Sequence, residues 1–241
     1  MKKNDLAEEA IQTNMVLLPG GNKQLEHLLE QNISIGAHAL IIGPGSEIAA
    51  VQLGKYFSNI HIITDDYDSV MQIRMKLKDE FKVKVKLMDY AHTDFEDGYF
   101  DLIYAQGSIS VPEKKNITKE VKRILRSHSL FCAGEIVSLK EPVPGFVADI
   151  WERSGLEPIA TSEIKKYYEG KGFEVLSEKD LSSSLGDFYE KIKNAVSKVS
   201  KDEKEQDKKY FSKMKHESHA YRKLGGDKYI GFKSLIMRKL N

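Results

Sequence analysis

Ala37 to Ala50, AHALIIGPGSEIAA, constrains the fold of this chain more than any other stretch. Ala39, Leu40, Ile41 and Ile42 run without interruption into Gly43-Pro44-Gly45, and a helical pattern begins at about Ser46. An apolar run that does not alternate, closed by glycine, fits a strand buried on both faces of a parallel sheet. Glycines at the turn carry no Cβ, so the backbone can bend sharply and come close to a ligand. The helix behind them points its free N–H groups and the positive end of its dipole over the same spot. Strand, glycine turn and helix in this order make either a cofactor cradle or a plain βα connection. The following segments decide between them.

Those segments repeat the alternation. Before the glycine turn, residues 5–31 read as one or two helices broken at Pro19-Gly20-Gly21, with Asn22 as the expected cap of the second. After it, an amphipathic helix is expected to run to about Phe57, and His61-Ile62-Ile63-Thr64 reads as a second strand ending in Asp65-Asp66. A charged helix over roughly 68–81 leads to Val83, Val85 and Leu87, which alternate with lysines as in a strand near the sheet edge. Phe100 to Ala105 is a fourth strand, Glu113 to Arg126 a helix and Ser129 to Val137 a fifth strand. This β-α-β-α order predicts a doubly wound, mostly parallel α/β sheet of seven strands, Rossmann-like, with helical cap segments at both ends. Past Pro142, Trp151 to Pro158 reads as irregular, Ser162 to Gly170 as a short helix, Phe173 to Leu176 as the sixth strand and Tyr229 to Met237 as the last. Residues 184–222 keep helical spacing around the charge run Lys201 to Glu205. The expected organisation is a helical segment over 1–36, a ligand-binding core over 37–140, and a part over 141–241 that completes the sheet and carries the 184–222 insert.

Composition narrows the function. Among 241 residues, 37 basic side chains face 36 acidic ones, so no global field attracts a polyanion and a nucleic-acid partner is not expected. The lone Cys132 excludes an intramolecular disulfide and fits a reducing, cytoplasmic setting. No stretch approaches the roughly 18–20 apolar residues of a membrane span, and MKKNDLAEEAIQTN lacks the apolar core of a targeting signal. No metal-ligand cluster is read from the sequence.

In an open parallel sheet, ligands bind at the carboxyl ends of the strands. The first three strand ends carry Gly43-Pro44-Gly45, Asp65-Asp66 and Asp89-Tyr90. A carboxylate about 20 residues past the glycine turn can accept both hydroxyls of a ribose, and Asp89 can accept from the amino group of an adenine. The blander role for each aspartate is to cap the helix or turn that follows. In this arrangement the chain resembles the class I S-adenosylmethionine-dependent methyltransferases. ALIIGPGSE is similar to their first motif, HIITDDYDSVM to the second, MDYAHTDFEDGYFDLIYAQGSIS to the third and fourth, and EVKRILRSHSLFCAGEIV to their helix-to-strand passage. PGGNKQLEHLL is similar to a segment that precedes the first motif in some small-molecule methyltransferases. Ile41 and Glu47 depart from the first motif, and Ser127-His128-Ser129 replaces a Pro-Gly-Gly turn.

The resemblance implies S-adenosylmethionine as cofactor, S-adenosylhomocysteine as product, and a small-molecule methyl acceptor. Carried onto this chain, it implies backbone contact at Gly43, Pro44 and Gly45, and ribose at Asp66 or its neighbour Asp65. It implies adenine at Asp89 and Tyr90, the methionine moiety near Glu47, and the meeting point of cofactor and acceptor at Ala105 and Gln106. Ala105-Gln106-Gly107-Ser108 lacks the tetrapeptide that enzymes methylating adenine or glutamine nitrogens carry there. His92, His219 and Tyr104 are the candidates for a base. Trp151, Tyr167, Tyr168, Tyr189, His216, His219 and Tyr221 are candidates for the acceptor pocket, or core residues, which Tyr and Trp at such spacings more often are. Two other readings stay open: a binding protein that kept the fold without catalysis, and a methyltransferase whose 184–222 helices dock a protein or RNA. A homodimer is compatible with each.

Overall fold

In a computed structural model the protein is described over residues 18–77, 83–198 and 208–241. The uninterrupted apolar run forms β1 (Gly36–Ile42), in the interior of the sheet. Its parallel neighbours are β2 (Phe57–Thr64) and β4 (Phe100–Gln106), with Ile42 level with Ile63 on one side and Ala105 on the other. β3 (Val83–Leu87) adds in parallel outside β2, and β5 (Leu125–Ser138) outside β4. β8 (Ile230–Lys239) then runs antiparallel to both β5 and β7 (Phe173–Asp180), giving the order β3-β2-β1-β4-β5-β8-β7. The expected doubly wound, mostly parallel sheet is present. A two-residue strand, β6 (Ile159–Ala160), pairs beside β5 and is too short to leave a sequence pattern.

Helices cover both faces. α1 (Lys23–Leu29), α2 (Glu47–Leu53) and α3 (Tyr67–Lys76) lie on one, and α4 (Lys114–Ile124) and α6 (Ile164–Glu169) on the other. Successive residues of β1 therefore serve opposite cores. Ala39 and Ile41 pack with Leu28, Leu53 and Ile73, while Leu40 and Ile42 pack with Ile117, Val121 and Tyr168. That is why the run does not alternate. A third apolar cluster joins α5 (Gly145–Ser154), α7 (Ser184–Lys198) and α8 (Lys208–Lys223) to β8 through Val147, Ile150, Leu185, Tyr189, Tyr221 and Phe232.

Several boundaries differ from the sequence reading. Trp151 does not open an irregular stretch but lies inside the helix α5, which buries Val147 and Ile150, runs on to Ser154 and stops at Gly155 in the left-handed region (φ 64°). Pro142, Pro144 and Gly145 suggest a loop, yet proline just before a first turn suits a helix start. The second helix ends at Leu53, and Phe57 already belongs to β2. Asn22 precedes α1 but its side chain makes no capping bond. The expectations for residues 5–17, 78–82 and 201–205 lie outside the described residues.

α1 is tied to the sheet where Gln24 Nε2 donates to the Ala105 carbonyl (2.9 Å). The crossing requires glycine at position 134: a Cβ there would stand 1.8 Å from Gln24 Oε1 and 2.6 Å from Phe232 Cζ. Gly134→Ala is expected to destabilise by ~1–3 kcal/mol, the range for overpacking a filled core, measured as a shift of the urea unfolding midpoint.

Candidate functional site

The strand order reverses between β1 and β4, because β2 follows on one side of β1 and β4 on the other. The crevice at their carboxyl ends is where open α/β sheets take ligands. The Gly43 N–H donates to the Ile63 carbonyl (2.9 Å), and Ser108 Oγ donates to the Ile42 carbonyl (2.6 Å), so the turn is gripped from both neighbouring strands. Gly43 has φ 108°, and a Cβ on it would lie 2.5 Å from that of Ser108; Gly45 has φ 77° with Leu18 beside it. Both glycines are thus required by conformation, and both are approached closely by the protein itself. Pro44 between them is exposed.

The predicted carboxylates stand on adjoining strand ends. Asp65 is the first residue past β2 and is exposed. Tyr90 Oη, past β3, donates to Asp65 Oδ1 (3.2 Å) and lies 3.4 Å from the Asp65 N–H. Burial, then the Asp65 charge, pushes the Tyr90 hydroxyl well above its usual range, so it stays a donor. Asp66 caps α3: its Oδ2 accepts from the Ser69 N–H at 2.7 Å. Asp89 Oδ1 accepts from the Ala91 N–H (2.7 Å), and His92 Nδ1 lies 3.2 Å from Oδ2. These contacts, the backbone one first, hold the Asp89 carboxyl below the ordinary range. Gly43, Asp65, Asp66 and Asp89 therefore share one end of the sheet, with Asp66 and Asp89 also serving the local caps that such residues commonly serve.

Two expected roles are altered by the contacts. Glu47 is buried and ion-paired with Lys76 Nζ of α3 at 3.0 Å. A carboxylate in the first turn of α2 and an ammonium in the last turn of α3 meet because both helices pack on the same sheet face. Gln106 does not line an open acceptor space. It is 3% exposed; its Nε2 donates to the Pro19 and Gly21 carbonyls (both 2.8 Å) and its Oε1 accepts from Tyr104 Oη. It fastens the 18–21 turn over the end of β4, beside the buried Ala105. The PGG signal was visible in the sequence, but its partner 85 residues away was not.

Of the base candidates, Tyr104 is fully buried, and burial drives its hydroxyl far above the range in which it could accept a proton. His92 and His219 are exposed. The aromatic candidates split into two groups rather than walling one pocket. Tyr189 stacks on Tyr221 (ring centroids 4.6 Å) in the cluster that includes Trp151, and exposed His216 pairs with Asp149. Tyr167 and Tyr168 lie on the other side of the sheet, on α6 itself. A feature missed from sequence is the fully buried Glu135 of β5, which accepts from Ser110 Oγ (2.5 Å) and Tyr168 Oη and pairs with Lys114 Nζ (2.8 Å). Only its position inside an apolar strand could have signalled it. Among the described residues, no cluster of three or more His, Cys, Asp or Glu is placed to hold a metal, and no helix is long and apolar enough to cross a membrane.

Residues 40–133 match the methyltransferase domain family, and the sheet and its helices match the Rossmann-like methyltransferase fold. Over 116 residues the chain is 25% identical to the sarcosine/dimethylglycine N-methyltransferase of Halorhodospira halochloris, a match covering 46% of this chain and 42% of that one. The chain thus spans less than half the length of this relative. Its fold is similar to phosphoethanolamine N-methyltransferase 2 of Haemonchus contortus, solved with S-adenosyl-L-methionine (TM-score 0.74, 13% identity, 91% of this chain and 53% of that one). It is also similar to geranyl diphosphate C-methyltransferase of Streptomyces coelicolor (TM-score 0.69, 13% identity, 91% and 77%).

Proposed function

We propose that the protein is an S-adenosylmethionine-dependent methyltransferase acting on a small molecule. The observation that carries this reading is the convergence of the Gly43–Gly45 turn with Asp65 and Asp89 at the ends of three adjacent strands, inside the span that matches the family. When bound, the cofactor would supply an electrophilic methyl group. The chain's part is to hold it and to set a nucleophile in line, which needs positioning more than covalent chemistry. In this reading Gly43, Pro44 and Gly45 admit the methionine moiety and Asp65 takes the ribose, oriented by Tyr90. Asp89 faces the adenine, and Ser108 with the 18–21 turn closes the crevice. Residues 37–140 hold the cofactor, and 141–241, including 184–222, form the acceptor side. A reducing cytoplasmic location agrees with the one buried, unpaired cysteine.

Calorimetric titration with S-adenosylmethionine and S-adenosylhomocysteine tests the reading, and absence of 1:1 binding would sink it in favour of a binding protein for another ligand. Asp65→Ala is expected to weaken binding by ~1–3 kcal/mol, the cost of unpairing a polar group. Asp66→Ala should act mainly on stability, by the ~1 kcal/mol of a lost N-cap. The opposite result would return the ribose to Asp66, the residue the motif register favours.

A further inference from the structure

The exposed large apolar side chains of this protein are not scattered. Of eight among the described residues, four belong to α3 and the neighbouring β3: Tyr67 (63% exposed), Met71 (41%), Met75 (62%) and Leu87 (53%). Single exposed apolar residues need no explanation, whereas a group of neighbours marks a contact surface, and Tyr and Met are among the types enriched in such surfaces. On α3, Val70 and Ile73 are buried in the core shared with the sheet, which leaves Tyr67, Met71 and Met75 at spacings of four along the exposed side. Leu87 joins them. Val83 and Val85 pack into the same core as Val70 and Ile73, and strand alternation puts Leu87 on that side of β3 too. Arg74 Nη2 donates to the Val85 carbonyl (2.8 Å), so helix and strand are fastened to each other.

The charges on α3 point to the occupant. Its first turn carries Asp68 and its last turn Arg74 and Lys76, and Asp68 and Arg74 are both exposed. Two copies of α3 laid antiparallel set the acidic end of each beside the basic end of the other. Met71 then meets its counterpart at the centre, and Tyr67 of each copy meets Met75 of the other. A surface that complements itself in this way fits a two-fold contact between identical chains. The other dimer available at this edge, β3 paired with its own copy, is disfavoured. A two-fold at Val85 would set Lys84 opposite Lys86, and like charges directly opposite repel. The contact therefore runs helix to helix. A helix of 10 residues is about 15 Å long, so the buried area falls below the ~1,200 Å2 of standard interfaces and the association is weak.

We propose that the protein forms a weak two-fold dimer through the exposed sides of α3, packed antiparallel with Tyr67, Met71 and Met75 at the centre. The test is sedimentation of the full-length chain at low ionic strength, from micromolar to millimolar concentration, and the expected result is a monomer–dimer equilibrium. Met71→Glu and Met75→Glu should each raise the dissociation constant at least tenfold while leaving the urea midpoint of the dilute protein unchanged. Asp68→Lys and Arg74→Glu should each weaken self-association as well. An equimolar mixture of those two variants should regain the parental affinity as a heterodimer, because one carries two basic ends and the other two acidic ends. No cofactor is added, so the outcome is independent of the function proposed above. A chain that stays monomeric at millimolar concentration would give the stripe to a different occupant and overturn the proposal. A dimer unmoved by the two glutamates, or a mixture no tighter than its components, would overturn it equally.

Discussion

Glu135→Leu is expected to lower the unfolding free energy by about 3–5 kcal/mol, because it strips the counter-charge from a buried ammonium. Glu135 is fully buried on β5, and its partners come from three separate segments: Ser110 in the β4–α4 loop, Lys114 at the start of α4 and Tyr168 at the end of α6. Ser110 Oγ also accepts the Ile136 N–H (2.9 Å), so the carboxylate fixes the loop to the strand beside it. Leucine would leave the Ser110 and Tyr168 hydroxyls without their acceptor and Lys114 without its charge partner. The double variant Glu135→Leu/Lys114→Met should regain much of the loss, since replacing both members of a buried pair by apolar groups is often neutral. Urea unfolding of the two single variants and the double gives the coupling directly. A loss below ~1 kcal/mol for Glu135→Leu, the range of exposed pairs, would mean that water reaches the pair and that its burial is not maintained in solution.

The fold was legible in the chain because its strands are buried on both faces and its glycines fall at strand ends. Ala39–Ile42 of β1 and Leu102–Ala105 of β4 read as unbroken apolar runs, and the order of strands and helices left one topology. What escaped was set by contacts too distant or too short to leave a pattern. β6 has two residues, and α5 was hidden behind Pro142, Pro144 and Gly145. The site was legible to the level of strand ends and no further. Asp65, Asp66 and Asp89 were expected at the carboxyl ends of the second and third strands, and they stand just past β2 and β3. Which carboxylate is spent on a cap depends on where α3 begins, and that boundary shifts by a residue or two without changing the pattern. Glu47 and Gln106 were given to a ligand because their partners, Lys76 and the 18–21 turn, come from elements packed against them in space. Polar residues inside apolar strands, such as Glu135 and His61, carried a signal that composition alone does not decode.

His61 is expected to make the protein acid-sensitive well above the range in which carboxylates titrate. It lies on β2, 5% exposed, with both ring nitrogens lacking a hydrogen-bond partner among the described residues. Phe95, Tyr99 and Phe100 surround it edge-on at centroid distances of 5.3, 6.0 and 5.6 Å. Burial, then the charges of Lys84 and Lys86 and nearby His38, brings its pKa down to about 4, with Asp94 opposing. Above the unfolded value of about 6.5 the ring is neutral in both states and contributes no pH dependence. Below it the unfolded chain binds a proton that the folded chain refuses until about pH 4. Stability therefore falls across that window, by up to about 3 kcal/mol from this residue. His61→Phe keeps an aromatic ring in the cluster and removes the proton. The difference between the urea stability of the variant and that of the parent should be flat above pH 7 and grow in the variant's favour toward pH 4. A difference that stays constant from pH 7 to 4 would show that the ring is solvated and that the aromatic cage opens in solution.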